Sequence, residues 1–135
     1  MKSHCPINYA LEHFGDKWSL LIIRDLMFKG KRHYNEFFES DEKVSTSVLG
    51  DRLKSLEQDG IITKNEDAVK KSRIRYSLTE KGIALLPMLV EMIVWSGSFD
   101  KATVAEKSFL RKAKNDKEGM IKELIQQLKK EHLGK

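Results

Sequence analysis

Apolar positions along this chain recur with two periods, and the places where one gives way to the other outline its elements. Ile7, Ala10, Leu11 and Phe14 follow the spacing of one helical face, which predicts a short helix from Pro6 to Phe14 that ends at Gly15. A second helix is predicted from Lys17 to Phe28, with Asp16 as N-cap, Trp18, Leu21, Ile22 and Leu26 inward, and Gly30 at its stop. Tyr34, Phe37 and Phe38 anchor a shorter helix over Tyr34–Glu39, and a polar connection leads on to Val44. Ser45 then caps a helix over residues 46–59 whose Leu49, Leu53 and Leu56 stand at i, i+4 and i+7, within about 60° of one another. Its opposite side carries Ser47, Asp51, Lys54 and Gln58, with Gly50 at the margin.

Past Gly60 the period changes to two. Ile61–Lys64 reads as one strand, and Ser72–Leu78 as a second, with Ile74, Tyr76 and Leu78 alternating with Arg73, Arg75 and Ser77. That alternation puts Arg73 and Arg75 on the solvent face of a hairpin. From Glu80 to Ser96 the helical period returns, but Ile83, Leu85, Leu86, Leu89, Met92, Ile93 and Trp95 cover most of the circumference. A helix apolar on two sides is covered from two sides, so this one is the expected subunit interface, with Pro87 bending it. Two amphipathic pieces follow the break at Gly97, over residues 101–114 and 116–133, with Asn115 and Glu118 as a capping box for the second. Ile121, Leu124, Ile125 and Leu128 give that last helix an apolar stripe assigned to the same interface. The expected organisation is a domain over residues 1–97 that includes the dimerisation helix, and a C-terminal helical extension over 98–135.

The order of elements is that of a mainly α winged helix-turn-helix DNA-binding domain with a two-stranded β wing and C-terminal dimerisation helices. Charge sharpens this reading only when it is located. The 135 residues carry a net +5, of which +4 lies beyond residue 97, so the domain itself is nearly neutral. Within it, Lys64–Arg75 holds a local +3 directly after the polar-faced helix. Ser45, Thr46, Ser47 and Lys54 are therefore expected in the major groove, with Gly50 and Asp51 facing bases. Lys70, Lys71, Arg73 and Arg75 are expected to serve the wing at the minor groove or its phosphates, and Arg32 and His33 to hold phosphate near the short helix.

Several blocks resemble one family in particular. They are Cys5-Pro6, Gly15-Asp16-Lys17-Trp18 before Leu20–Ile23, Tyr34-Asn35-Glu36-Phe37, Val44-Ser45 with Leu49, Arg52, Leu53 and Leu56, Asp59–Ile62, and Tyr76–Gly82. Over about Cys5 to Trp95 the chain resembles the HxlR-type regulators, bacterial winged-helix proteins related in shape to the MarR group. The resemblance implies a homodimeric transcription factor, here read as a repressor, that pairs through its terminal helices and addresses an inverted repeat with two recognition helices. The chain departs from the family pattern at His33, where arginine is usual, at Lys71-Ser72, where a Pro-Pro pair is usual, and at Gly50-Asp51. The family's operator sequence is therefore not transferred.

Cys5 stands where some members carry a thiol that senses oxidants or electrophiles; the alternative is a small buried side chain. Lys2 and His4 lie near it in sequence. The single cysteine makes no internal disulfide, and the four histidines lack ligand-like spacing, so neither a metal site nor a cofactor is expected. Ser45 has no His or Asp partner at a catalytic spacing, and the chain is read as a non-enzyme. No secretory pattern opens the sequence and the run Ile83–Trp95 reads as too short to span a membrane, so the expected location is the cytoplasm. The competing reading is a winged-helix protein-interaction module without sequence-specific DNA binding, which does not require a basic wing.

Overall fold

The computed structural model describes residues 4–103 and 105–134; Lys2 lies outside them. The chain forms two compact units, Met1–Gly82 and Ile83–Lys135, so the division falls earlier than the expected boundary at Gly97.

In the first unit, helices α1 (Pro6–Phe14) and α2 (Lys17–Phe28) precede a 3₁₀ helix (Tyr34–Glu39), helix α3 (Thr46–Gln58), and strands β1 (Ile62–Glu66) and β2 (Ile74–Leu78). The leucine stripe of α3 packs as its spacing requires: Leu49, Leu53 and Leu56 are buried, along with Ile22, Ile23 and Leu26 of α2 and Phe37 of the 3₁₀ helix. Burying one such side chain is worth roughly 1.5–3 kcal/mol, so this interface holds α3 to the body. The expected inward stripe of α1 is not formed, because Ile7 and Leu11 are largely exposed and Phe14 alone is buried. Gly60, at φ 75°, reverses the chain between α3 and β1, a left-handed conformation that a side chain would strain.

A polar lock sets the approach to α3. Arg24 clamps Glu42 with its two terminal nitrogens at 2.8 and 3.1 Å and also binds Asp25, which is itself buried. The Ser40 hydroxyl donates to Asp25 at 3.0 Å and accepts from Lys31 at 2.8 Å. Arg24 holds the Glu42 carboxyl below its ordinary pKa against a smaller opposing effect of burial. The turn that carries residues 40–45 is thereby tied to α2 by charge-assisted bonds, in a segment that offers few apolar side chains.

The short helix α4 (Glu80–Ile83) links the units, and the second consists of α5 (Leu86–Phe99), α6 (Lys107–Asn115) and α7 (Lys117–Leu133), each packed on the other two. The single helix expected over Glu80–Ser96 is in fact broken before Leu86, with Pro87 in the first turn of α5, where no amide hydrogen is needed. Helix α6 begins later than expected, because the Asp100 carboxylate and carbonyl bind the Ala102 amide and the Thr103 hydroxyl in a turn. Asp116, not Asn115, caps α7 by accepting from the Gly119 amide at 3.1 Å. Glu80–Phe99, a longer stretch than the run Ile83–Trp95, is long and apolar enough on length and composition to cross a bilayer. In this structure α5 instead packs on α6 and α7, and its Glu91 pairs with Lys117 at 2.6 Å.

Candidate nucleic-acid interface

The N-terminus of α3 is built as the sequence predicts. The Ser45 hydroxyl accepts from the Val48 amide at 3.3 Å, while Ser45, Thr46, Ser47, Asp51 and Lys54 are all exposed. Hydroxyls and the first N–H groups of α3 therefore stand together at the exposed start of the helix. Gly50 follows with ordinary helical backbone, and a Cβ placed there would meet nothing within 4 Å. Asp51 is bonded by Arg52, not by Lys54 as its spacing suggests. Arg52 also donates to Asp16 at 2.8 Å, and Asp16 caps α2 by accepting from the Ser19 amide at 3.0 Å. Burial raises the pKa of Asp16, but the bonds from Ser19 and Arg52 outweigh this and hold it below its ordinary value. Arg52 thus fixes α3 to the start of α2, a role the sequence alone does not assign to it.

Strands β1 and β2 pair antiparallel, with Ile62 opposite Leu78, Lys64 opposite Tyr76 and Glu66 opposite Ile74. The turn between them is longer than expected and includes Arg73, which was predicted within a strand. Its geometry comes from Asp67, whose carboxylate accepts from the amides of Val69 at 3.1 Å and Lys70 at 3.0 Å. The Arg73 amide then bonds to the Lys70 carbonyl at 2.9 Å, and the Asp67 amide to the Arg73 carbonyl at 2.8 Å. Lys70, Lys71 and Arg73 are exposed on this tip and Lys64 on β1, with Arg75 partly covered, so the wing presents a cluster of cations.

Arg32 and His33 are placed differently from their expected role as phosphate contacts. The Arg32 guanidinium donates to the Tyr76 carbonyl at 2.7 Å and to the Ser77 hydroxyl. Its own carbonyl accepts from the Tyr76 amide at 2.7 Å, and His33 forms a β-bridge with Arg75. This segment therefore runs along the free edge of β2. The His33 ring lies between two carboxylates, with Nδ1 2.7 Å from Glu36 and Nε2 2.8 Å from Asp67. Both side chains therefore have partners within the protein, Arg32 at the edge of β2, where a backbone carbonyl needs a donor, and His33 at the two carboxylates.

The sequence matches the HxlR-like helix-turn-helix family over residues 13–103. The chain belongs to that family. Among curated relatives, the transcriptional regulator sll1512 of Synechocystis is 36% identical over 88 residues, covering 65% of this chain and 64% of that protein. The transcriptional regulator YodB of Bacillus subtilis is 35% identical over 70% of this chain and 85% of its own length. The solved structure of reduced YodB superposes with a TM-score of 0.59 at 32% identity, covering 75% of this chain and 99% of that one. The redox regulator HypR in its oxidized form gives a TM-score of 0.62 at 32% identity, over 70% of this chain and 96% of that one. The fold is the mainly helical, two-stranded winged helix-turn-helix of these HxlR-like regulators.

Two other groups of residues fall outside the α3–wing surface. Cys5 is exposed at the N-cap of α1, which removes the buried alternative. Of the side chains assigned to a subunit interface, Ile83, Leu86, Leu89 and Leu128 are already buried within the single chain. Ile93, Ile121, Leu124 and Ile125 are half-buried, and Met92 is exposed. One apolar side of α5 is covered by the chain itself, since α6 and α7 pack on it, and this accounts for part of the apolar surplus. Trp95, 67% exposed, and Phe99, 76% exposed, form the outward part of α5 with ring centroids 5.5 Å apart.

Proposed function

We propose that this HxlR-like protein is a transcriptional regulator, acting as a repressor, whose homodimer binds an inverted-repeat operator in double-stranded DNA. The observation that carries the reading is the occurrence, in one compact unit, of an exposed hydroxyl-rich start of α3 and a wing tip bearing Lys70, Lys71 and Arg73. Ser45, Thr46, Ser47 and Lys54 enter the major groove, with Gly50 and Asp51 toward the bases. The wing cations neutralise phosphates beside the minor groove. Arg75 contributes from β2, while Arg32 and His33 support the wing from behind. The homodimer follows from family membership and from the outward Met92, Trp95 and Phe99 of α5, a cluster of large apolar side chains that costs free energy in water. A twofold axis sets half-sites about one helical turn apart, or a multiple of it.

Fragments selected from genomic DNA by the protein, followed by affinity measurements at two salt concentrations, test this. A specific site with inverted symmetry, and a log–log salt dependence that flattens in Lys70→Ala/Lys71→Ala, are the expected results. Absence of binding to any duplex at low salt favours the protein-interaction module instead.

A thiol-sensing role for Cys5 is the second reading. It is supported by the exposure of Cys5 and by two structural neighbours, HypR, a redox regulator, and YodB, whose structure is also known after diamide treatment. In it, diamide takes the hydrogens of two Cys5 thiols, one from each subunit, and leaves a disulfide across the dimer. Diamide-induced loss of DNA binding that persists unchanged in Cys5→Ser removes this reading.

A further inference from the structure

The His33 ring is bonded at both ends, and the two ends belong to different elements. Its Nδ1 meets Glu36 in the 3₁₀ helix and its Nε2 meets Asp67 at the base of the wing tip. An ionised carboxylate only accepts hydrogen bonds, so both ring nitrogens must carry a proton for both contacts to hold.

Each carboxylate has other work that does not depend on the ring. Glu36 accepts from the Arg32 amide at 3.1 Å and the His33 amide at 2.9 Å, which caps the 3₁₀ helix. Asp67 accepts from the Val69 and Lys70 amides, which shapes the tip. Loss of one ring proton therefore leaves both local turns intact and removes the donor from one of the two ring contacts. The neighbouring charged and titratable residues named by the contacts are Arg75, whose backbone bridges His33, Tyr76, whose amide donates to the Arg32 carbonyl, and Arg32, whose guanidinium donates to Tyr76 and Ser77. None of these groups replaces the link from the 3₁₀ helix to the tip. Bonds from His33 and from the Lys70 and Val69 amides hold the Asp67 carboxyl well below its ordinary range. In Glu36 burial pushes the pKa up, but the bonds from the Arg32 amide and His33 prevail and lower it, so both carboxylates are ionised acceptors at neutral pH.

We propose that His33 is a positioning residue that, as an imidazolium between Glu36 and Asp67, fixes the wing tip for DNA, so that affinity for DNA falls as pH rises and the ring gives up a proton. The inference rests on the DNA-binding reading above. It gives the wing a dependence on pH that its lysines and arginines, charged across the whole range, do not provide.

The test measures the affinity of the full-length protein for a selected DNA duplex from pH 5.5 to 9 at constant ionic strength. The native protein is expected to weaken by about tenfold across that range, the scale of one charge-assisted bond. His33→Arg, with several donors and a permanent charge, is expected to restore the tie at every pH and flatten the profile at the tight end. His33→Gln, which donates from one nitrogen only, is expected to be flat at the weak end. A native profile without pH dependence overturns the proposal, as does a profile that His33→Arg leaves unchanged. An NMR titration of the free protein separates this from failure of the DNA reading. Amide shifts of Val69 and Lys70 that follow the His33 ring in the native protein, and stay fixed in His33→Arg, support the tie even if no duplex is bound. Shifts that ignore the ring overturn it.

Discussion

Helices α3 and α5 both turn one side outward, and the two outward sides are chemically opposite. On α3 the outward side is Thr46, Ser47, Asp51 and Lys54; on α5 it is Met92, Trp95 and Phe99. The inward sides are alike, built from leucines that are fully or almost fully buried. Burial alone therefore says little about the task of either helix, because both satisfy it in the same way. What distinguishes them is the partner each exposed surface suits: hydroxyls, amides and cations suit a hydrated polyanion, whereas adjacent aromatic rings suit another apolar surface.

The largest effect is expected on the inward side that both helices share. Leu56→Ala is expected to lower stability by about 2–5 kcal/mol, read from a denaturant melt, because Leu56 is completely buried and the cavity cannot fully collapse. A loss below about 1 kcal/mol contradicts the packing described for α3. On the outward side of α5, Trp95→Ala is expected to weaken self-association by about 2–4 kcal/mol in sedimentation equilibrium, while far-UV circular dichroism stays unchanged. If association is untouched, the exposed aromatic pair is not the subunit contact.

On the wing, Lys70→Ala/Lys71→Ala is expected to reduce the slope of log K against log salt by about 2, with folding unchanged. Acid conditions probe the same region through Glu36 and Asp67. Their pKa values lie below the ordinary 4.5 and 3.8, so their contribution is complete above those values and is lost as pH falls through the lowered ones. Asp67→Asn is therefore expected to make the melting temperature less sensitive to pH below about 4, which a pH series of thermal melts reads directly. The smallest effect is expected at Gly50: Gly50→Ala should stabilise the protein by about 0.5–1 kcal/mol, since the helix gains propensity and the added methyl meets no neighbour.

Features set by local periodicity are legible in the amino-acid sequence. Leu49, Leu53 and Leu56 define the buried side of α3, Ser45 caps it and Gly60 ends it, all within one short stretch whose physics is local. The wing strands are legible for the same reason. Their turn is not, because Arg73 is held there by Asp67, and Asp67 is held by a histidine 34 positions earlier. No period or spacing reports a contact of that range. The anchoring role of Arg52 is hidden likewise, since its partner is the cap of another helix. For α5 the apolar circumference is plain in the sequence, but what covers it is not: burying Leu86 and Leu89 does not require a second chain. The stripe of α1 fails for a simpler reason. It has the right period, but period does not say whether a facing surface exists.

The open space around Gly50 has a consequence for the history of such a protein. A single codon change at this position projects a new side chain from the outward side of α3, and a first carbon placed there meets no neighbour. Most changes in a recognition helix set binding preference against folding, because the same few turns serve both. Here the two are separated at one residue: under the DNA-binding reading proposed above, a lineage can change its target sequence at Gly50 while its scaffold remains as it was.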